Sequence, residues 1–67
     1  MRQVIVRGWI EIGDDVSELG FLIEGSDAVE IVNEVSACIA ENRDVYMSVF
    51  GLNEAEEKMA RDIASAL

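Results

Sequence analysis

The sequence predicts an α+β fold: a three-stranded, mainly antiparallel sheet with two helices, in the order β-β-α-β-α. Three observations predict it. Along residues 2–13 and 44–50 one parity is apolar, Val4, Val6, Ile10 and Ile12 in the first and Val45, Met47 and Val49 in the second set against Tyr46, Ser48 and Phe50, the period of a strand. Apolar residues recur at helical spacing along residues 27–41 and again after Asn53. Between the first strand and the first helix lies a short, largely apolar segment, GFLIEG, bounded by glycines. The chain of 67 residues is read as a single domain, residues 1–67.

Each element has its own warrant. In residues 2–13 one parity carries Val4, Val6, Ile10 and Ile12, and the other carries Ile5, Arg7, Trp9 and Glu11. The β-branched content favours a strand. Residues 14–19, DDVSEL, read as a polar connection or a short helical turn, because Asp15 and Glu18 have capping-box spacing. Residues 20–25 read as a second strand, close enough to the first for an antiparallel hairpin. Residues 27–41 read as a helix capped by Ser26 or Asp27, with Ala28, Ile31, Val32, Val35, Cys38 and Ile39 on one face. Residues 44–50 read as the third strand. Asn53 then caps a last helix with Glu56 as its box partner, and its apolar face is Ala55, Met59, Ile63 and Ala66. With both helices on one face of the sheet, the core takes Val4, Val6, Ile10, Ile12, Val45, Met47 and Val49.

Stability has to come from that core or from association. A domain this small usually needs a staple. Cys38 is the only cysteine, so no internal disulfide forms, and there is no histidine to build a zinc site with it. No cofactor and no metal are expected. No apolar stretch approaches the ~20 residues that cross a bilayer, and the N-terminus has no signal-peptide pattern. These features predict a cytoplasmic protein that contacts no membrane and keeps Cys38 reduced.

Charge is the strongest functional signal. The net charge is −9. Between Arg7 and Arg43 there is no lysine or arginine, and that gap holds Glu11, Asp14, Asp15, Glu18, Glu24, Asp27, Glu30, Glu34 and Glu41. Elsewhere Asp44, Glu54, Glu56, Glu57 and Asp62 balance Arg2, Arg7, Arg43, Lys58 and Arg61. Such a field repels nucleic acid and anionic lipid and attracts basic surfaces. On the first helix Asp27, Glu30, Glu34 and Glu41 form an acidic stripe, about 21 Å long at ~1.5 Å per residue, with no base at i±4. The last helix is compensated instead, through the i,i+4 pairs Glu54–Lys58, Glu57–Arg61 and Lys58–Asp62. The acids read either as a contact surface or simply as a solvated face.

Catalysis is not expected. Without histidine, acid–base chemistry falls to carboxylates, Tyr46 or Cys38, and Cys38 lies on the apolar face of its helix. No phosphate-binding glycine loop, nucleophile elbow or calcium loop is present. A second candidate contact is the sheet parity that carries Ile5, Arg7, Trp9, Leu22, Tyr46, Ser48 and Phe50. Trp9, Tyr46 and Phe50 form an exposed patch there if both helices cover the opposite face. If one helix covers each face they are core, the arrangement favoured by a small domain's need for every apolar residue.

A short, acidic, proline-free and histidine-free chain of this kind resembles the small inhibitors encoded by phages and mobile elements. Anti-restriction DNA mimics and anti-CRISPR proteins belong to that class. The resemblance rests on size and on the carboxylates from Glu11 to Glu41. It implies a non-catalytic inhibitor whose carboxylates stand in for phosphates and occupy the basic DNA- or RNA-binding site of a host defence complex. Its partner would be a basic protein surface, not nucleic acid itself, and the chain would be a monomer or weak dimer. The alternatives are a small homo-oligomeric interaction or regulatory module, and an acidic antidote to a basic toxin.

Overall fold

The computed structural model describes all residues from Met1 to Leu67. Its elements are β1 (Arg2–Ile12), β2 (Asp15–Gly25), α1 (Ala28–Glu41), β3 (Tyr46–Phe50) and α2 (Glu54–Ala66). The strands form one antiparallel sheet in the order β2-β1-β3. The predicted fold class and element order are those observed.

One local expectation fails. Of residues 14–19, read as a polar connection or short helical turn, only Asp14 lies in a turn, because β2 begins at Asp15 and runs for 11 residues. Only Gly13 and Asp14 stand between the strands. Gly13 has φ +62°, and no residue other than glycine has positive φ. This is the type II′ pattern, with glycine first, whose twist matches that of the flanking strands. So tight a turn lets the strands pair right up to it, Ile12 at the end of β1 opposite Asp15 at the start of β2, and the carboxylates follow as cross-strand side chains.

The register defines the two faces of the sheet. On one face Val4 lies opposite Ile23, Val6 lies between Phe21 and Val49, and Gly8 lies opposite Met47. Both helices cover this face. The buried centre is Val4, Val6, Ile31, Val32, Val35 and Ala60, with Phe21, Ile23, Cys38, Ile39, Met47, Val49, Leu52 and Ile63 packed around it. Ile10 and Ile12 do not join it. β3 pairs with β1 only from Ile5 to Trp9, so the end of the hairpin runs on past the third strand. Ile10 is half-buried there and Ile12 is exposed. Val45 precedes β3 and is half-buried.

The helix ends form much as their sequences require. Asp27 caps α1 and accepts a hydrogen bond from the Glu30 N–H. Asn53 caps α2 in a full capping box with Glu56. The buried side of α2 is Ala60 and Ala64 with half-buried Ile63, whereas Ala55, Met59 and Ala66 are exposed. The predicted face was rotated because α2 packs chiefly against α1, with Ala60 reaching the core beside Val4 and Val6, and small side chains suit that close helix–helix contact. Between β3 and α2 the chain turns at Gly51, with φ +116°, where a Cβ would lie 2.9 Å from the Gln3 carbonyl oxygen. Only glycine fits that backbone and that approach.

A long-range tie joins the first strand to the last helix. The Arg2 guanidinium donates to both carboxylate oxygens of Glu56, one of them at 2.8 Å. That fork and the capping hydrogen bond from Asn53 hold the Glu56 carboxyl at a pKa of about 2. A depressed carboxylate pKa gives stability that is complete above the unfolded value and is lost as pH falls through the folded one. The melting temperature of the wild type should therefore exceed that of Glu56→Gln most clearly above pH ~4.5, and the gap should close as pH falls towards 2. Thermal melts by circular dichroism from pH 2 to 7 measure it, and a gap independent of pH would contradict this role for the pair.

Candidate functional site

The face turned away from the helices is open. It is built by β1 residues Gln3, Ile5, Arg7, Trp9 and Glu11, which lie opposite β2 residues Glu24, Leu22, Gly20, Glu18 and Val16. From β3 come Phe50, Ser48 and Tyr46, opposite Ile5, Arg7 and Trp9. Exposure is 49% for Ile5, 37% for Trp9, 60% for Leu22, 67% for Tyr46 and 55% for Phe50. Trp9, Tyr46 and Phe50 are thus surface residues, and the arrangement with one helix on each face does not occur. Core volume is found on one side only, through Val4 and Val6 against α1.

The face has its own order. Trp9 and Tyr46 are cross-strand partners whose rings stack at 6.1 Å between centroids, 26° from parallel. Beside them a shallow hollow of about 160 Å³ is lined by Arg7, Trp9, Glu18, Ser48 and Phe50. Arg7 reaches Glu18 at 3.9 Å, and both side chains are exposed. A pair of that kind holds little energy and opens easily. Apolar rings, a weakly held cation and a hollow make a surface suited to protein contact, where aromatic side chains concentrate binding energy.

The nine acids of the basic-free segment divide into three groups. Glu11 on β1 and Glu18 and Glu24 on β2 stand on the open face. Asp14 and Asp15 form the tip of the hairpin. Asp27, Glu30, Glu34 and Glu41 belong to α1 and its cap. The helix stripe is less free than its spacing suggests. Asp27 is the N-cap, and Glu30 accepts hydrogen bonds from the Ser26 hydroxyl and the Ser26 N–H. These two carboxylates also sit at the positive end of the helix dipole. Glu34 and Glu41 have no such partner and border the outer edge of β2, beside Phe21, Leu22 and Ile23.

The bases are mostly occupied. Arg43 donates to the Ala40 and Ala64 carbonyls, and so caps the ends of both helices. Arg61 donates to the Met47 carbonyl and lies 3.7 Å from Glu57. Lys58 pairs with Asp62 at 2.7 Å, not with Glu54. The largest hollow, about 320 Å³, lies between the helix C-termini and β3, and includes Arg43 and Arg61 in its wall. No group of three or more Cys, Asp or Glu side chains is placed to hold a metal ion. No helix is long and apolar enough to cross a membrane.

Cys38 is half-buried, not enclosed as its place on the apolar helix face suggested. It lines the hollow between α1 and β2 with Phe21, Ile23 and Glu34. Burial, followed by the nearby Glu41 charge, raises its pKa, which disfavours the reactive thiolate. Val16 is the open-face apolar residue that the sequence analysis did not place there. Its signal was the parity it shares with Leu22, interrupted by Glu18 and Gly20. Comparison with protein-family models, curated proteins and solved structures finds no match to this chain.

Proposed function

We propose that this chain is a non-catalytic binding protein that occupies the basic, nucleic-acid-binding surface of another protein and thereby inhibits it. The observation that carries this reading is the uncovered sheet face, where Trp9, Tyr46 and Phe50 lie beside Glu11, Glu18 and Glu24. Nucleic-acid-binding surfaces combine lysine and arginine, which meet phosphates, with apolar or aromatic groups, which meet bases. This face offers the counterpart of both, carboxylates for the cations and rings for the apolar groups. Asp14 and Asp15 extend the acidic field along the hairpin. The same logic serves an inhibitor of a host defence complex, of the anti-CRISPR or anti-restriction kind.

Capture from host-cell lysate on the immobilised protein tests the reading. A nucleic-acid-binding protein should be retained at low salt. It should be released by DNA or RNA, and its affinity should fall steeply as salt rises, because screening shortens to about 8 Å at physiological ionic strength. Reversing Glu11 and Glu18 to lysine should weaken capture far more than reversing Glu54 and Glu57. Glu30 is the wrong residue for this purpose, since its carboxylate holds the start of α1 and lysine there would disturb the fold. Salt-independent capture, or equal losses from the two double reversals, would overturn the proposal.

A further inference from the structure

We infer that the free edge of β2 receives an extended, lysine- or arginine-bearing segment of the partner as a fourth strand. This rests on the reading of a basic partner and adds how that partner docks. β2 pairs with β1 alone, one residue to one residue along its whole length, with no bulge. It contains no proline and no lysine, two of the devices that blunt an exposed edge.

The direction of its backbone groups follows from the register. Along an antiparallel strand, alternate residues turn both their N–H and C=O to the same neighbour. A two-residue turn closes on a hydrogen-bonded pair, here Ile12 and Asp15. Even-numbered β1 residues therefore bond β2, and odd-numbered ones face β3. The Gln3 carbonyl agrees, since it lies against Gly51 just beyond β3. In β2 the partners of the odd-numbered residues, Val16, Glu18, Gly20, Leu22 and Glu24, turn their backbone groups outwards, where no strand meets them.

The sheet's other edge is different. β3 has five residues, and the Arg61 side chain already donates to its Met47 carbonyl. β2 offers twice that length without such a cover. Beside it lies the hollow of about 230 Å³ under α1, with Phe21, Ile23 and Cys38 in its wall and Glu34 and Glu41 at its border. Side chains of an added strand alternate between this hollow and the open face beside Glu18 and Glu24. Both destinations are acidic. A second copy of β2 would bring Glu18, Glu24, Glu34 and Glu41 against their own kind, which opposes self-pairing. Lysine or arginine on the incoming strand meets opposite charge on both sides.

Amide hydrogen exchange by NMR tests this with three short peptides. One alternates lysine and valine, the second is the same peptide N-methylated at every other residue, and the third alternates glutamate and valine. The lysine peptide should slow exchange at the outward amides of Val16, Glu18, Gly20, Leu22 and Glu24 by about tenfold, the protection that one added hydrogen bond gives. It should also slow thiol labelling of Cys38. The other two peptides should do neither. Equal protection by the N-methylated peptide, changes confined to Trp9, Tyr46 and Phe50, or no protected amide would each overturn strand addition. None of these would touch the proposed function, which fails instead if capture is insensitive to salt.

Discussion

Replacing Ile31 with alanine will cost about 2–5 kcal/mol, the range for isoleucine truncated in a packed core. Ile31 is fully buried in the cluster of Val4, Val6 and Val35. Its neighbourhood is also tight, because a Cβ at Gly25 would lie 3.2 Å from the Ile31 Cβ. A chain of this size holds about 3–10 kcal/mol in total, at ~0.05–0.15 kcal/mol per residue. One substitution therefore removes a large share of the stability. The melting temperature should fall by about 8–40 °C, at ~4–8 °C per kcal/mol. Val29→Ala, on the outer side of the same helix, should stay within about 0.5 kcal/mol of wild type. Circular dichroism melts of both variants make the comparison, and similar losses would mean that α1 presents a different face to the sheet.

Removing the rings of Trp9 and Phe50 together will lower affinity for the captured partner by about a thousandfold, taking ~2 kcal/mol for each interface anchor. The fold should survive. Trp9 contributes to stability mainly through its cross-strand pair with Tyr46, and such pairs contribute about 0.2–1 kcal/mol. Titration calorimetry against the captured protein gives the affinity, and the far-ultraviolet spectrum reports the fold. An unchanged affinity would move the contact off the sheet. The same variant decides between a foreign partner and a second copy of this chain. If the open face joins copies, light scattering will show the wild type gaining mass with concentration and the double variant remaining a monomer.

Much of the architecture was legible because local signals and the global fold agree. Asp27, one of the two caps the sequence offered, and Asn53, with Glu56 as its box partner, cap the helices as read. The alternation around Val4 and Val6 marked the buried face of the central strand. The misreading of residues 14–19 has a plain cause. Charged residues in an exposed hairpin look like a loop, since neither of its faces is buried and strand periodicity fades. Partner choice among charges was also hidden. Nothing in the spacing shows that Arg2 reaches across the fold to Glu56, or that Lys58 prefers Asp62 to Glu54. The candidate surface was half legible. Parity placed Trp9, Tyr46 and Phe50 together, but which side the helices cover depends on tertiary packing, and no periodicity within a strand records it.

The hairpin that outruns β3 gives the molecule two tiers of rigidity. Around Val4 and Val6, opening a strand means uncovering the core. From Ile10 to Ser17 it means breaking only one ladder, with water already on both sides. This tip is the part of the sheet that opens most cheaply, and it does so without disturbing the remainder. It also carries Glu11, Asp14 and Asp15. The charge at this end of the molecule, whose longest dimension is 40 Å, is therefore carried on a compliant arm. Such an arm loses entropy when it is immobilised, which weakens each complex it forms. In return, on the proposed reading of a basic partner, an arm that bends can fit grooves of different width, so the shape of the sheet would tolerate variation in that surface.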